Sequence, residues 1–256
     1  MTFLVILLTV ALISIIVYRR DPWLWRRFFG LFQHMNDPGH IGLQPTETVP
    51  SPQPIGLLAV NSAKQTINKE ALQAVQRYAA SFESYALLVL HRGVIQAEWY
   101  SEGRSASSLT QSQSMHKTVL PILLHSAIAE GHISSLDASI GQFIHEWQAD
   151  ARGEITIRQM LMMSSGLDQY GFSFNPFSND FRWLFSGNTL PFVLAVPLAY
   201  EPGSQFDYNN LNSYLLGLLL ERATGQRYAA YLAEKLWQPL CGSMMSTAVP
   251  IQNAAF

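Results

Sequence analysis

The stretch Ser112-Gln113-Ser114-Met115-His116-Lys117-Thr118-Val119-Leu120-Pro121-Ile122-Leu123-Leu124 decides how this chain is read. A loop rich in Ser, Thr and Gln, from Ser101 to Gln113, runs into an apolar helix expected from Met115 to about Glu130, with Gly131 as its stop. Ser114 and Lys117 stand three residues apart and so share one helical face. Free backbone N–H groups and the positive dipole end at the start of a helix suit an oxyanion developing beside Ser114. A helix this apolar is expected to be buried, which leaves Lys117 partly desolvated and able to act as a base. Pro121 is expected to kink the helix or mark a break. Alone, the pattern fits a serine cap with a solvated lysine equally well, so its context has to decide.

That context begins with Phe206-Asp207-Tyr208-Asn209-Asn210, placed just before a long helix expected over Leu211–Thr224 and closed by Gly225. A tyrosine beside a Ser–Lys pair can relay a proton, and an asparagine two residues on can hold the lysine and a substrate amide. Asn209 or Asn210 also suits a plain helix cap, and Tyr208 suits packing. Ser173-Phe174-Asn175 and Ser186-Gly187-Asn188 offer the same polar groups, so the assignment is not unique. Elsewhere, Asn68 can cap a helix over Lys69–Ser81, and Arg92-Gly93 joins strand-like Tyr85–His91 and Val94–Tyr100 as a hairpin. Thr156 can cap a short helix over Ile157–Met163, and Tyr228–Trp237 has helical spacing. Antiparallel strands followed by a helix-rich middle predict an α+β fold, with helices on one sheet.

Composition narrows the function classes. The 256 residues are enough for a substantial core, and a net charge of −2 gives no reason to expect a nucleic-acid partner. One cysteine, Cys241, excludes an internal disulfide, and the scattered histidines hold no zinc spacing, so no metal and no cofactor are expected. Hydrophobic residues reach 48% against 13% charged, and much of the excess lies at the N-terminus. Thr2 to Tyr18 carry neither a charge nor a proline, which predicts one transmembrane helix at the short end of the spanning range. No small-x-small cleavage site follows it, which favours an uncleaved anchor over a signal peptide. Trp23, Trp25, Arg26, Arg27, Phe28 and Phe29 then form an interfacial belt. Arg19, Arg20, Arg26 and Arg27 all follow the apolar run, which by itself favours a cytoplasmic domain.

Ser114-Met115-His116-Lys117 followed about 90 residues later by Tyr208-Asn209-Asn210 resembles the serine β-lactamase and penicillin-binding-protein family of the class C type. Ile155-Thr156-Ile157-Arg158-Gln159-Met160-Leu161-Met162-Met163-Ser164-Ser165-Gly166-Leu167 is similar to the short helix and Ser-Gly-Leu turn of that family. Glu201-Pro202-Gly203-Ser204-Gln205-Phe206 matches its lead-in to the tyrosine. The flanking text is most similar to the branch of 6-aminohexanoate-dimer hydrolases and related esterases. The likeness covers about Ser84 to Leu240. It implies a β-lactamase/transpeptidase-like antiparallel sheet with a helical subdomain. It implies acyl transfer on an amide or ester, with Ser114 as nucleophile, Lys117 and Tyr208 moving its proton, and Asn210 binding the substrate. The Ser114 N–H would supply half of the oxyanion hole, and Gly166 a structural turn. It also implies a bacterial membrane-anchored domain facing the periplasm, against the arginine count.

The resemblance has a gap. The family carries a third motif, Lys/His-x-Gly, on a core strand well after the tyrosine, and none of the 46 residues after Asn210 matches it. His40-Ile41-Gly42 fits the bare pattern on the wrong side of the serine. The expected organisation is therefore an anchor and interfacial segment at 1–30, a Pro-rich linker at 31–62, a partial β-lactamase-related domain at 63–240, and an atypical tail at 241–256. A frameshift or premature end would explain such a tail and leave the fold incomplete at its C-terminus. The competing expectation is a catalytically inactive fragment or a penicillin-binding-like protein that holds a peptide without turning it over.

Overall fold

The computed structural model describes residues 2–33, 46–49, 65–108, 112–240 and 247–250. Its elements in chain order are α1 (Thr2–Arg20), α2 (Pro22–Gln33), β1 (Thr46–Val49), α3 (Lys69–Ser81), β2 (Ala86–His91) and β3 (Val94–Tyr100). There follow α4 (Val119–Ala129), α5 (Ile157–Leu161), α6 (Asn179–Phe185), α7 (Leu190–Leu194), α8 (Asn210–Thr224), α9 (Tyr228–Leu232) and β4 (Thr247–Pro250).

Local chemistry sets most of the ends. Asn68 accepts from the Ala71 N–H at the start of α3, and Thr156 and Gln159 form a reciprocal capping box on α5. Asn209 accepts from the Leu211 N–H to open α8, and Gly225, at φ 68°, closes it in the left-handed conformation. Arg92 and Gly93 both have positive φ, the geometry that joins two twisted strands with a two-residue turn. The hairpin pairs His91 with Val94 and Ala86 with Tyr100, with an irregularity between Val89 and Leu90.

The core lies in the helical layer. Leu120, Leu123, Leu124 and Ala127 of α4 meet Leu215, Leu216 and Leu219 of α8, and Trp147, Ile155, Ile157 and Met160 complete the cluster. Each fully buried aliphatic side chain contributes about 1.5–3 kcal/mol, so this contiguous cluster, more than helix propensity, holds the layer together. Trp147 donates its indole N–H to the Leu194 carbonyl at 3.0 Å. The Arg152 guanidinium stacks on the same ring and donates to the carbonyls of Leu194 and Val196.

Three expectations change. The described strands form two antiparallel ribbons, β1–β4 and β2–β3, and not one continuous sheet. β1 falls inside the expected linker and β4 inside the expected tail, and Val49 joins the core. Second, Ser114 does not open an α-helix. Gln113–Thr118 is a 3₁₀ turn, and the α-helix starts at Val119, which puts Pro121 in its first turn, where its missing N–H costs nothing. Third, no helix among the described residues is long and apolar enough to cross a membrane. The seventeen uncharged residues from Thr2 to Tyr18 rise roughly 25 Å, short of a hydrocarbon core of about 30 Å, and Arg19 and Arg20 end the helix.

The belt after α1 is a folded part of the domain. α2 packs on α6, with Leu24, Phe181 and Phe185 buried together and Val17, Trp25 and Phe28 against them. The Asp21 carboxylate accepts from the Gly187 N–H at 3.0 Å and from the Ser186 hydroxyl, and Arg27 donates to the Ser186 carbonyl at 2.7 Å. A Cβ on Gly187 would lie 2.9 Å from Trp23, so only glycine admits this approach. Burial holds the Arg27 guanidinium down at about 10, partly offset by Asp21.

Candidate active site

The 3₁₀ turn gives the Ser-x-x-Lys motif its geometry. With three residues per turn, positions i and i+3 eclipse, so Lys117 stands directly over Ser114. Its ammonium donates to the Ser114 hydroxyl at 3.0 Å and to Asn210 Oδ1 at 2.9 Å. Gln113, immediately before the serine, sits at φ 49°, a left-handed conformation that turns the chain into the motif. Lys117 is half-buried, less enclosed than the apolar helix suggested, because the turn precedes the buried part of α4.

Tyr208 arrives from the other side. Its hydroxyl lies 2.7 Å from the Ser114 hydroxyl, and the Lys117 ammonium is 5.0 Å from its ring centre. The segment before it is tied to the turn after α5. The Gly203 N–H donates to Ser164 O, and the Asp207 N–H donates to Met163 O, both at 2.7 Å. Gly166 is structural, as the sequence suggested: its φ is 76°, and a Cβ there would meet the Tyr200 carbonyl at 2.4 Å. Asn209 is buried and donates to the carbonyls of Leu167 and Asp168, while Ser165 donates to Asn212 Oδ1 at 2.7 Å. Tyr208 is thus held between two anchored neighbours, with its own side chain exposed.

Electrostatics follow the contacts. The Lys117 ammonium, and then the Ser114 hydroxyl, hold the Tyr208 phenol below its ordinary value of 10.0, because both favour the phenolate. His116, inside the motif, points the other way into the core and meets the Tyr228 hydroxyl at 2.8 Å through Nε2. Burial, and then the neighbouring Lys117 charge, lowers its pKa and keeps the ring neutral. Sequence reading missed this residue. Its one signal was a polar aromatic group at the single motif position facing an apolar helix.

All four predicted residues, Ser114, Lys117, Tyr208 and Asn210, are therefore joined by hydrogen bonds. The rival Ser-x-Asn strings serve loops elsewhere. Ser173 accepts from the Asn175 N–H, and Ser186 bonds Asp21 and the Asn188 carbonyl. His40-Ile41-Gly42 lies outside the described residues. Among the described residues, no group of three or more His, Cys, Asp or Glu is placed to hold a metal ion.

A serine hydroxyl held between a lysine and a tyrosine, on a mixed helix-and-strand fold, defines a class of acyl-transfer protein with a β-lactamase/transpeptidase-like architecture. Residues 71–255 match the family model described as Beta-lactamase, and the chain belongs to that family. Its members are serine hydrolases. A solved structure from Bacillus anthracis, assigned provisionally as a 6-aminohexanoate-dimer hydrolase, superimposes with a TM-score of 0.64 at 17% identity. That match covers 85% of this chain and 60% of the other. Protein flp of Staphylococcus aureus strain MW2 is 28% identical over 114 residues, 43% of this chain and 22% of the relative. A protein of Escherichia coli K12, assigned provisionally as a D-alanyl-D-alanine carboxypeptidase, is 39% identical over 54 residues, 21% of this chain and 12% of the relative. The chain thus matches 60% of the Bacillus anthracis structure and less than a quarter of the other two relatives.

Proposed function

We propose that this protein is a serine hydrolase that cleaves an amide or ester through an acyl-enzyme. The observation that carries the reading is the pair of hydrogen bonds converging on one hydroxyl: Lys117 at 3.0 Å and Tyr208 at 2.7 Å from Ser114 Oγ. Ser114 attacks the carbonyl as its proton passes to the Tyr208 phenolate, which the Lys117 ammonium holds. The tetrahedral intermediate collapses as the proton passes to the leaving amine or alcohol. Water then attacks the ester with the same groups as base, restoring Ser114 and releasing the acid. Asn210 holds the Lys117 ammonium and faces the acyl side chain, and the Ser114 N–H serves the oxyanion.

The test is labelling of the purified chain by a fluorescent serine-reactive phosphonate, beside Ser114→Ala. Labelling lost in the variant supports the reading. A folded chain that takes no label sinks it, and a chain that then still binds peptide is the non-hydrolytic alternative.

The reading also assigns a place. α1 attaches the chain to the bacterial inner membrane, with the domain on the periplasmic side. Leu4, Val5, Leu8 and Ile15 of that helix are exposed, which supports lipid as their surroundings. The four arginines after α1 favour the opposite side, and the likeness to cell-wall enzymes favours this one. A C-terminal alkaline phosphatase fusion decides: an inactive fusion reverses the assignment.

A further inference from the structure

The loop between α5 and α6 carries three phenylalanines within six residues, Phe172, Phe174 and Phe177, exposed by 56%, 66% and 61%. They are not loose. The Ser173 hydroxyl accepts from the Asn175 N–H, Asn175 Oδ1 accepts from the Phe177 N–H, and the Ser178 hydroxyl donates to the Asn175 carbonyl. The Gly171 N–H donates to Asp180, which fixes the other end. A loop knotted by its own polar groups holds its rings outward by construction. Phe172 and Phe174 pack edge to face at 4.8 Å, and Phe174 reaches Phe28 of α2 at 6.5 Å. The apolar surface therefore continues from the loop onto α2, where Phe29 and Phe32 are exposed, and on to α1.

We propose that this loop is a second membrane contact, which seats the catalytic domain on the interfacial region of a bilayer rich in anionic headgroups. It rests on the attachment through α1, not on the hydrolase chemistry. Two features choose lipid as the occupant. Apolar side chains are exposed along successive residues of α1, at Leu4, Val5, Ile6 and Leu8 and again at Val10, Leu12 and Ile13, so they face more than one side of the helix. Side chains of this kind insert at the headgroup–acyl boundary, the position open to a helix too short to span. The charge at the junction is also complementary to phosphates. Arg19, Arg20 and Arg26 are exposed, Arg26 lies 4.9 Å over the Trp23 ring, and the one acid from Thr2 to Gln33, Asp21, is occupied by Ser186 and Gly187. Asp21 and Arg27 tie α2 to the Ser186–Gly187 loop after α6, which sets α2 beside Phe174. A domain held that way meets its substrate at the membrane surface in a fixed orientation.

The experiment uses the full chain carrying Cys241→Ser, with a nitroxide at Phe174→Cys or, as a reference, at Glu70→Cys on α3. The protein is reconstituted with phosphatidylcholine vesicles containing phosphatidylglycerol, and electron paramagnetic resonance reads collisions with oxygen and with a water-soluble nickel chelate. At position 174 oxygen collisions are expected to rise and nickel collisions to fall several-fold relative to position 70. Equal accessibility at both positions in protein that floats with vesicles overturns the proposal while leaving the α1 attachment intact. Protein that does not float overturns both. A label shielded from both reagents identifies a second copy of the chain as the occupant and also overturns it. None of these readouts depends on hydrolysis, so the proposal and the reaction fail separately.

Discussion

The hydroxyls of Ser114 and Tyr208 lie 2.7 Å apart although 94 residues separate them in the chain. The contact exists because the Gly203–Asp207 segment is laced to the turn at Met163–Gly166, which is itself packed against α8. The two hydroxyls are joined by one hydrogen bond, and the Tyr208 phenol is held below its ordinary value by Lys117 first and Ser114 second. The phenolate is the form that accepts a proton, so acylation by the phosphonate should rise with pH, with an inflection below 10.0. Tyr208→Phe should lower the rate by about 10²–10⁴-fold and remove that inflection. A profile that is flat, or unchanged in the phenylalanine variant, would place the proton elsewhere.

Asn210 is the residue that keeps Lys117 aimed. Its Oδ1 takes one ammonium proton at 2.9 Å while another goes to Ser114. A hydrogen bond to a charged group is worth about 1.5–3 kcal/mol, so Asn210→Ala should slow labelling by roughly 10–100-fold. Asn210→Asp keeps an acceptor but adds a carboxylate that draws the ammonium away from Ser114 and Tyr208, and it should also be slow. The labelling rate checks this, with circular dichroism to show that α8 persists.

His116 lends itself to a test that separates folding from chemistry. Its ring bonds the Tyr228 hydroxyl, and burial followed by Lys117 lowers its pKa from 6.5. Above pH 6.5 the ring is neutral in both the folded and the unfolded chain. As pH falls below 6.5 the unfolded chain takes up the proton first, so the folded state loses stability until the folded value is reached. The urea midpoint should therefore fall between pH 7 and pH 5.5, and His116→Gln should show a shallower fall. Tyr228→Phe, which leaves the ring nitrogen without its partner, should cost about 1–3 kcal/mol at pH 7. An equal pH dependence in wild type and His116→Gln would assign the titration to other histidines.

What the sequence showed and what it hid divide by range. The hairpin, the caps of α3, α5 and α8, and the Gly225 stop were legible because each is set by a few adjacent residues. Ser114, Lys117, Tyr208 and Asn210 were left open by residue type and spacing and were singled out by the family resemblance of the flanking segments, and hydrogen bonds join them. The 3₁₀ form of the motif was not legible, since it depends on Gln113 adopting positive φ, which its residue type does not announce. Nor was the docking of α2, because Asp21 meets Ser186 across 165 positions of sequence. The pairing of Thr46–Val49 with Thr247–Pro250 lay in stretches whose composition suggested a linker and a tail.

That docking supplies the last test. Gly187 lies against Trp23, where a Cβ would come within 2.9 Å of two ring-side carbons, and its N–H is held by Asp21. Gly187→Val forces the loop and α2 apart, and overpacking of this kind costs about 1–3 kcal/mol. The cost falls on the α2–α6 contact, while Ser114, Lys117 and Tyr208 are positioned by α4, the turn after α5 and the start of α8. The variant should therefore open the bond after Arg27 to trypsin, cutting the chain there faster than wild type, yet keep its phosphonate labelling rate. Loss of labelling along with the faster cut would show that α2 supports the site itself. Unchanged proteolysis would show that Asp21 and Arg27 hold the helix without the glycine.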